Sequence, residues 1–350
     1  METSVATLDA VRAYYGQVLQ STRDLKTSAC CPAEALPPYL KAALRNIEAD
    51  ILDRFYGCGA PIPPALEGAT VLDLGCGSGR DVYLASQLVG PEGFVIGVDM
   101  TEEQLAVARR HMATHMDRFG YSRPNVSFRH GFVEDLRTAG IEDASVDVVI
   151  SNCVLNLSPD KPAAFAEIFR VLKPGGEVYI SDVFADRRIP AALAADPVLY
   201  GECLAGALYV EDFRRLLLHL GVPDYRVVSS TSIAIDDPEI ERRIGAIRFF
   251  SRTIRAFKLP GLLEDRCEDY GQVARYLGTM TEARHRFVLD DHHIFETGRP
   301  VLVCGNTAAM LSQTRYRTHF QVVGDRSVHY GLFDCTPVAS AANPTGGCGC

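Results

Sequence analysis

The chain lacks any run of 18 or more apolar residues, which removes a membrane-spanning helix from its expected elements. Its start, METSVATLDAVRAYYGQ, carries acidic side chains and no apolar h-region, so it does not read as a signal peptide. The expectation is a soluble, cytoplasmic protein that binds no membrane. A basic excess is missing too: 35 Lys and Arg against 44 Asp and Glu leave a net charge of -9. Nucleic-acid binding through a broad basic face rests on phosphate neutralisation, so no nucleic-acid partner is expected. The paired C-x-x-C spacing of a structural zinc site is absent as well, although the chain has eleven cysteines. Their odd number argues against a fully paired disulfide framework, and in a reducing compartment most should be thiols. There is no internal repeat.

What is present is ordinary globular material: 350 residues, 47% hydrophobic and 23% charged, enough for about two domains. The middle alternates strand and helix signals, the pattern of an α/β fold with a mostly parallel sheet and helices on both faces. TVLDLG (70–75) is a short apolar run ending in glycine, and RDVYLASQLV after it is helix-like. GFVIGVD (93–99) is strand two, followed by TEEQLAVARRHMATHMDRF, which opens on a capping-box pattern of Thr101 and Gln104 and keeps helical apolar spacing. NVSFRHG and SVDVVISN read as strands three and four, AAFAEIFRVL as a helix, KPGG (173–176) as a turn and EVYISD as strand five.

The expected division is a helical N-terminal segment over 1–67, a Rossmann-like core over 68–185, remaining core strands over 186–235, an α+β C-terminal domain over 236–335 and a flexible tail over 336–350. VEDFRRLLLHLG reads as a helix and YRVVSST as a strand. In IERRIGAIRFFSRTIRAFK the apolar residues at 240, 244, 247, 250, 254 and 257 predict one core-facing helix.

The loop DLGCGSGRD places Gly75, Gly77 and Gly79 between a strand and a helix. Glycines there let a ligand approach the backbone, and the exposed amides favour an anionic group. The spacing is G-x-G-x-G rather than the dinucleotide G-x-G-x-x-G. Asp73, two residues before the first glycine, would repel a pyrophosphate but could receive a ligand ammonium. Asp99 ends strand two, where a carboxylate can accept both ribose hydroxyls. Val133 and Glu134, after strand three, stand where an adenine edge would lie. Together these features resemble the class I methyltransferase fold, which binds S-adenosylmethionine.

Cys30, Cys31, Cys58, Cys153 and Cys203 raise a second question. Taken singly, each could be a small buried hydrophobe. Yet Cys58 and Cys203 sit in glycine-rich contexts, and Cys153 follows strand four, at the rim where open parallel sheets bind ligands. The runs KTSAC at Cys30, RFYGCG at Cys58, LDLGCGSGRDVY, GVDMTEEQL, SNCVLNLSPDK at Cys153 and YGECLAGALY at Cys203 resemble the arsenite methyltransferases. The likeness runs from about residue 20 to 320, as in a full-length member.

That resemblance implies Cys153 and Cys203 as the arsenic-binding pair, Cys58 as third ligand and Cys30 as its redox partner. Cys31 doubles the family's single N-terminal cysteine and leaves open which of the two is the redox thiol. The family positions around the cofactor fall on Tyr56, Met100, Gln104 and Asn152. The implied partners are arsenite, methylated trivalent arsenicals, and thioredoxin or glutathione as reductant, with the chain expected to be a monomer. A methyltransferase acting on another small acceptor, and a thiol protein that binds metalloids without turnover, are the alternatives. Cys76 is expected to matter for its backbone, Cys267, Cys304 and Cys335 to be structural, the CGC end to be a flexible tail, and Asp290 to His293 to form a solvated turn.

Overall fold

The computed structural model describes residues 36–335 apart from 56, 58, 195, 197–198, 201–202 and 236. Cys30, Cys31, Tyr56, Cys58 and the CGC tail therefore lie outside the described residues.

Two short helices, α1 (Pro38–Leu44) and α2 (Ala49–Leu52), lead into the core. There follow β1 (Thr70–Leu74), α3 (Arg80–Val89), β2 (Phe94–Asp99), α4 (Glu102–Arg110), α5 (Met112–Phe119), β3 (Val126–His130), β4 (Val146–Asn152), α6 (Lys161–Val171) and β5 (Leu172–Ala185). The last core elements are α7 (Ala191–Ala194), β6 (Leu208–Tyr209), α8 (Val210–His219), β7 (Tyr225–Ser232), α9 (Pro238–Ile244) and β8 (Phe249–Phe257). The central sheet has the order β3-β2-β1-β4-β5-β8-β7. Its first five strands pair in parallel, and β8 runs antiparallel to both neighbours.

The parallel strands are near-continuous apolar runs because helices cover both sides. One face packs under α6 and α8 through Phe165, Phe169, Phe213 and Leu217. The other packs under α1, α3 and α4 through Leu40, Val82, Leu84 and Leu105. The switch in strand order falls between β1 and β4, so their carboxyl ends open the crevice in which such sheets bind ligands.

The structure corrects three local expectations. The single helix predicted over 240–257 is α9 followed by β8. Gly245, at φ 61°, ends the helix, and the Phe249, Phe250, Thr253 and Ile254 that follow suit a strand. Residues 250 and 254 share a face in either geometry, since a separation of four fits both periods. This part of the segment assigned to the C-terminal domain is thus inserted into the central sheet, between β5 and β7. The Thr101 side chain makes no capping bond; the Asp99 carboxylate instead accepts from the Thr101 N–H at 2.8 Å. KPGG lies inside β5, where the β4 partner shifts from Leu172 to Glu177 and the extra residues bulge out.

The C-terminal unit carries β9 (Glu268–Asp269), β10 (Gln272–Tyr276), β11 (Arg286–Val288), β12 (Ile294–Glu296), β13 (Pro300–Val303), α10 (Gly305–Ser312), β14 (Phe320–Val323) and β15 (Gly331–Leu332). It has its own apolar core around Phe287, Phe295, Met310 and Phe320. A buried charge network ties it to the central sheet. Arg255 of β8 donates to Glu177 of β5 at 2.6 Å, to the Tyr316 hydroxyl at 2.6 Å and to the Leu289 carbonyl at 3.0 Å. Arg315 pairs with the other side of the same Glu177 carboxylate.

Candidate active site

The glycine loop turns over the carboxyl ends of β1 and β2. Gly75, Gly77 and Gly79 have φ of 68°, 51° and 90°, the left-handed region that an L side chain resists. A Cβ at Gly75 would also fall 2.3 Å from Val154, so that glycine lets the loop meet the turn after β4. The Gly77 N–H donates to Asp99 at 2.8 Å, which fixes the loop to the end of β2. Gly79 opens α3 and stands against Phe128 rather than in the cleft.

Below the loop lies a cleft of about 990 Å³ counting its open mouth, within the usual range for small-molecule sites. Asp73, Gly75, Gly77, Asp99, Met100, Gln104, Val133, Glu134, Asn152 and Cys153 all line it. Asp73 is 2% exposed, and its Oδ2 has no hydrogen-bond partner in the protein. Burial pushes its carboxyl well above the usual range, helped by the Asp81 and Asp99 carboxylates and opposed by Arg80. A buried carboxylate oxygen without a donor calls for a ligand cation, and an amino-acid ammonium would meet that need. Asp99 is also pushed up by burial, with the Gly77 and Thr101 amides pulling it down. Its remaining lone pairs can accept the two ribose hydroxyls. The residues present therefore fit S-adenosylmethionine.

Sequence reasoning missed Arg80 and Asp81, although both directly follow the glycine loop. Asn152 donates to Asp81 Oδ2 at 3.1 Å and to the Gly59 carbonyl at 3.0 Å. The Arg80 guanidinium lies 3.5 Å from the Phe55 ring centroid, an arrangement that holds the chain before Gly59 over the cleft.

Cys153 lines the cleft, and the buried Cys203, which does not line it, meets Cys153. Only four non-glycine residues among those described have a left-handed backbone, and these two are among them, at φ 56° and 62°. Such a conformation costs about 1 kcal/mol or more and persists where surrounding contacts impose it. The Cys153 N–H donates to the Ser181 carbonyl at 2.8 Å, and Cys203 Sγ approaches the Cys153 carbonyl at 3.7 Å. Both side chains sit in one apolar cluster with Leu157, Leu204 and Phe249. Cys153 is disulfide-bonded; Cys76, Cys203, Cys267, Cys304 and Cys335 are thiols.

Gly206 explains how the Cys203 loop comes so near. A Cβ there would fall 2.1 Å from the Asn156 carbonyl oxygen, so only glycine lets this loop dock on the turn after β4. The Tyr200 hydroxyl donates to the Leu157 carbonyl at 2.8 Å and secures the same contact. Burial, with Cys203 and Glu134 adding, pushes Tyr200 up to about 12, so it stays a neutral donor.

Lys161, lowered by burial, faces Asp182, Glu134 and Cys203. Burial pushes Asp182 up from 3.8 to about 7 against the pull of the Val183 and Asn156 amides and Lys161. Between those values the unfolded chain has released the proton that the folded chain keeps, so this group makes stability fall as pH rises. We expect Asp182→Asn to flatten the stability slope over that window by up to about 1.4 kcal/mol per pH unit relative to the unaltered chain. Urea unfolding at several pH values checks it, and parallel slopes for the two proteins would contradict it.

Burial, with Asp99 and Asp73 adding, pushes the Cys76 thiol well above its usual range. It stays protonated and packs on Gly97 of β2, in keeping with a role for its backbone. The expected solvated turn at Asp290 is corrected: Asp290 is fully buried, accepts from Arg226 at 3.1 Å, and holds His293 at 2.8 Å. Its oxygens are committed to these partners rather than open to an ion. Among the described residues no helix is long and apolar enough to cross a membrane.

A methyltransferase domain family matches residues 66–221, and the arsenite methyltransferase C-terminal domain family matches residues 270–341. An arsenite methyltransferase of Aquipseudomonas alcaligenes is 54% identical over 326 residues, covering 93% of each chain. That of Mus musculus is 43% identical, covering 89% of this chain and 82% of its own. The crystal structure of an arsenic(III) S-adenosylmethionine methyltransferase from Chlamydomonas reinhardtii is 52% identical. It superposes with a TM-score of 0.83 over 86% of this chain and 100% of that one. On this identity across most of its length, the chain belongs to the arsenite methyltransferase family.

Proposed function

We propose that the chain is an arsenite methyltransferase in which Cys153 and Cys203 hold trivalent arsenic at the rim of the S-adenosylmethionine cleft, yielding mono- and dimethylated arsenicals. The observation that carries this reading is the meeting of two buried cysteines, both in left-handed backbone, one of which, Cys153, lines the cleft beside Asn152.

Bound in the cleft, S-adenosylmethionine supplies a methyl group activated by its sulfonium. Asp73 would hold the ligand ammonium and Asp99 the ribose hydroxyls, which fixes where the reactive end lies. The cysteines fix the other reactant. Trivalent arsenic is soft and pyramidal, so it accepts thiolates and keeps a lone pair. Each As–S bond forms with loss of one thiol proton and one arsenic hydroxide as water. A lone pair carries no proton to remove, so no general base is needed. The described lining residues contain neither histidine nor lysine. Catalysis then rests on alignment, with a bimolecular encounter made intramolecular.

Methylation raises arsenic formally to the pentavalent state, and return to the trivalent state takes two electrons. A cysteine pair gives them by forming a disulfide, which thioredoxin or glutathione reopens by thiol exchange. The family resemblance gives Cys30 and Cys58 this part. Gly57 and Gly59, which flank Cys58, pack closely on Asn152 and Ser181, and this supports a ligand reaching the arsenic site from that segment. Cys153, disulfide-bonded in this structure, must be reduced before it can bind arsenic.

The test is purified protein with arsenite, S-adenosylmethionine and a thiol reductant, with the arsenic products separated. Methylated arsenic is expected only when reductant is present; none under adequate reductant would overturn the reading. Asp99→Ala should weaken S-adenosylmethionine binding by about 10- to 100-fold, the value of its charged hydrogen bonds. Calorimetric titration reads this, and an unchanged affinity would remove Asp99 from the cofactor site.

A further inference from the structure

The C-terminal unit gathers three thiols that the methylation reading does not use. Cys267 precedes β9, Cys304 follows β13 at the start of α10, and Cys335 follows β15. Pairing of β15 with β9 brings two of them together, and the Phe333 N–H donates to the Cys267 carbonyl at 2.8 Å. The three Sγ atoms lie within 4.8 Å of one another.

Cys304 is fully buried and caps α10. Its Sγ accepts from the Thr307 N–H at 3.4 Å, lies 3.3 Å from the Thr307 hydroxyl, and faces Arg226 Nη2 at 3.8 Å. Three sulfurs gathered within 4.8 Å, one of them held in place by Thr307 and Arg226, present the donor set that soft ions take. Cys267 and Cys335 are partly exposed, which leaves a way in.

Charge decides among soft ions. Arg226 is already matched by Asp224 at 2.8 Å and Asp290 at 3.1 Å, two carboxylates to one guanidinium. A divalent ion on three thiolates would add a further net negative charge to this buried place, which is costly. A trivalent centre on three thiolates is neutral.

We propose that Cys267, Cys304 and Cys335 form a second trivalent-arsenic site, separate from Cys153 and Cys203, that takes unmethylated arsenite as a three-thiolate complex. Three S–H protons leave with the three hydroxides of arsenous acid as three waters, three As–S bonds form, and arsenic stays trivalent, so no reductant is consumed. Monomethylated arsenic can form only two such bonds and dimethylated arsenic one. The site therefore prefers arsenite over its methylated products.

The test starts from the full chain carrying Cys348→Ser and Cys350→Ser, which removes the tail thiols. One arm adds Cys267→Ser and Cys335→Ser, the other Cys153→Ser and Cys203→Ser. Each reduced protein is mixed with arsenite, desalted, and its arsenic counted by elemental mass spectrometry. We expect the first arm to lose one arsenic per chain and keep methylation, and the second to lose methylation but keep one arsenic bound to three sulfurs in X-ray absorption. Equal arsenic in the parent and the first arm would overturn the site, as would zinc alone held there and not displaced by arsenite. The unaltered protein gives a check free of folding effects: arsenite should protect Cys267, Cys304 and Cys335 from alkylation in peptide maps, and unprotected thiols would contradict the proposal. Dimethylated trivalent arsenic should protect them less. Protection here without methylation anywhere would refute the proposed function and leave this site standing.

Discussion

We expect Cys153→Ser and Cys203→Ser each to abolish arsenic methylation, by at least about 100-fold, while S-adenosylmethionine still binds. The size follows from the mechanism: with no general base to share the work, losing one anchor frees the arsenic to turn, and a misplacement of about 1 Å already costs about that factor. Serine keeps the shape of the side chain but offers arsenic a harder, poorly ionised oxygen. Both positions are buried in the same apolar cluster, where a hydroxyl costs about 1–3 kcal/mol, so retained cofactor binding also shows that each variant folds. Product analysis and a separate cofactor titration distinguish the outcomes. Loss of cofactor affinity equal to the loss of activity would make these cysteines packing residues and the arsenic assignment wrong.

The second large effect is on stability. Glu177→Ala should destabilise the chain by about 3–5 kcal/mol, because it leaves the fully buried Arg255 and the neighbouring Arg315 without their shared carboxylate. The loss should be uneven. Arg255 joins the central sheet to Tyr316 and Leu289 of the C-terminal unit, so hydrogen exchange should rise first around those two residues. Urea unfolding measures the total. A cost below about 1 kcal/mol would mean that water or rearrangement satisfies the two guanidinium groups.

Much of the cleft was legible because its parts are close in sequence. A strand, three glycines and a carboxylate at the end of the next strand form a short pattern with one geometric meaning, and Asp73, Gly75, Gly77 and Asp99 came together as that pattern requires. The α9 and β8 stretch was misread because a separation of four, as between residues 250 and 254, satisfies helix and strand alike, and the pairing of β8 with β5 and β7 decided between them. Gly206 looked unremarkable until its contact with Asn156 gave it a purpose. The thiol cluster was illegible for a related reason. Cys267, Cys304 and Cys335 carry no local spacing signal, since the ends of β9, β13 and β15 bring them together only in the folded chain. The expectation that they are merely structural rested on that silence.

The most direct measurement of the central claim is the anomalous scattering of arsenic in a crystal of the reduced protein soaked with arsenite. A peak bonded to the Sγ atoms of both Cys153 and Cys203, on the side facing the cleft that Asn152 lines, is expected. Arsenic bound elsewhere, with both of those sulfurs bare in a protein that methylates arsenite, would contradict it.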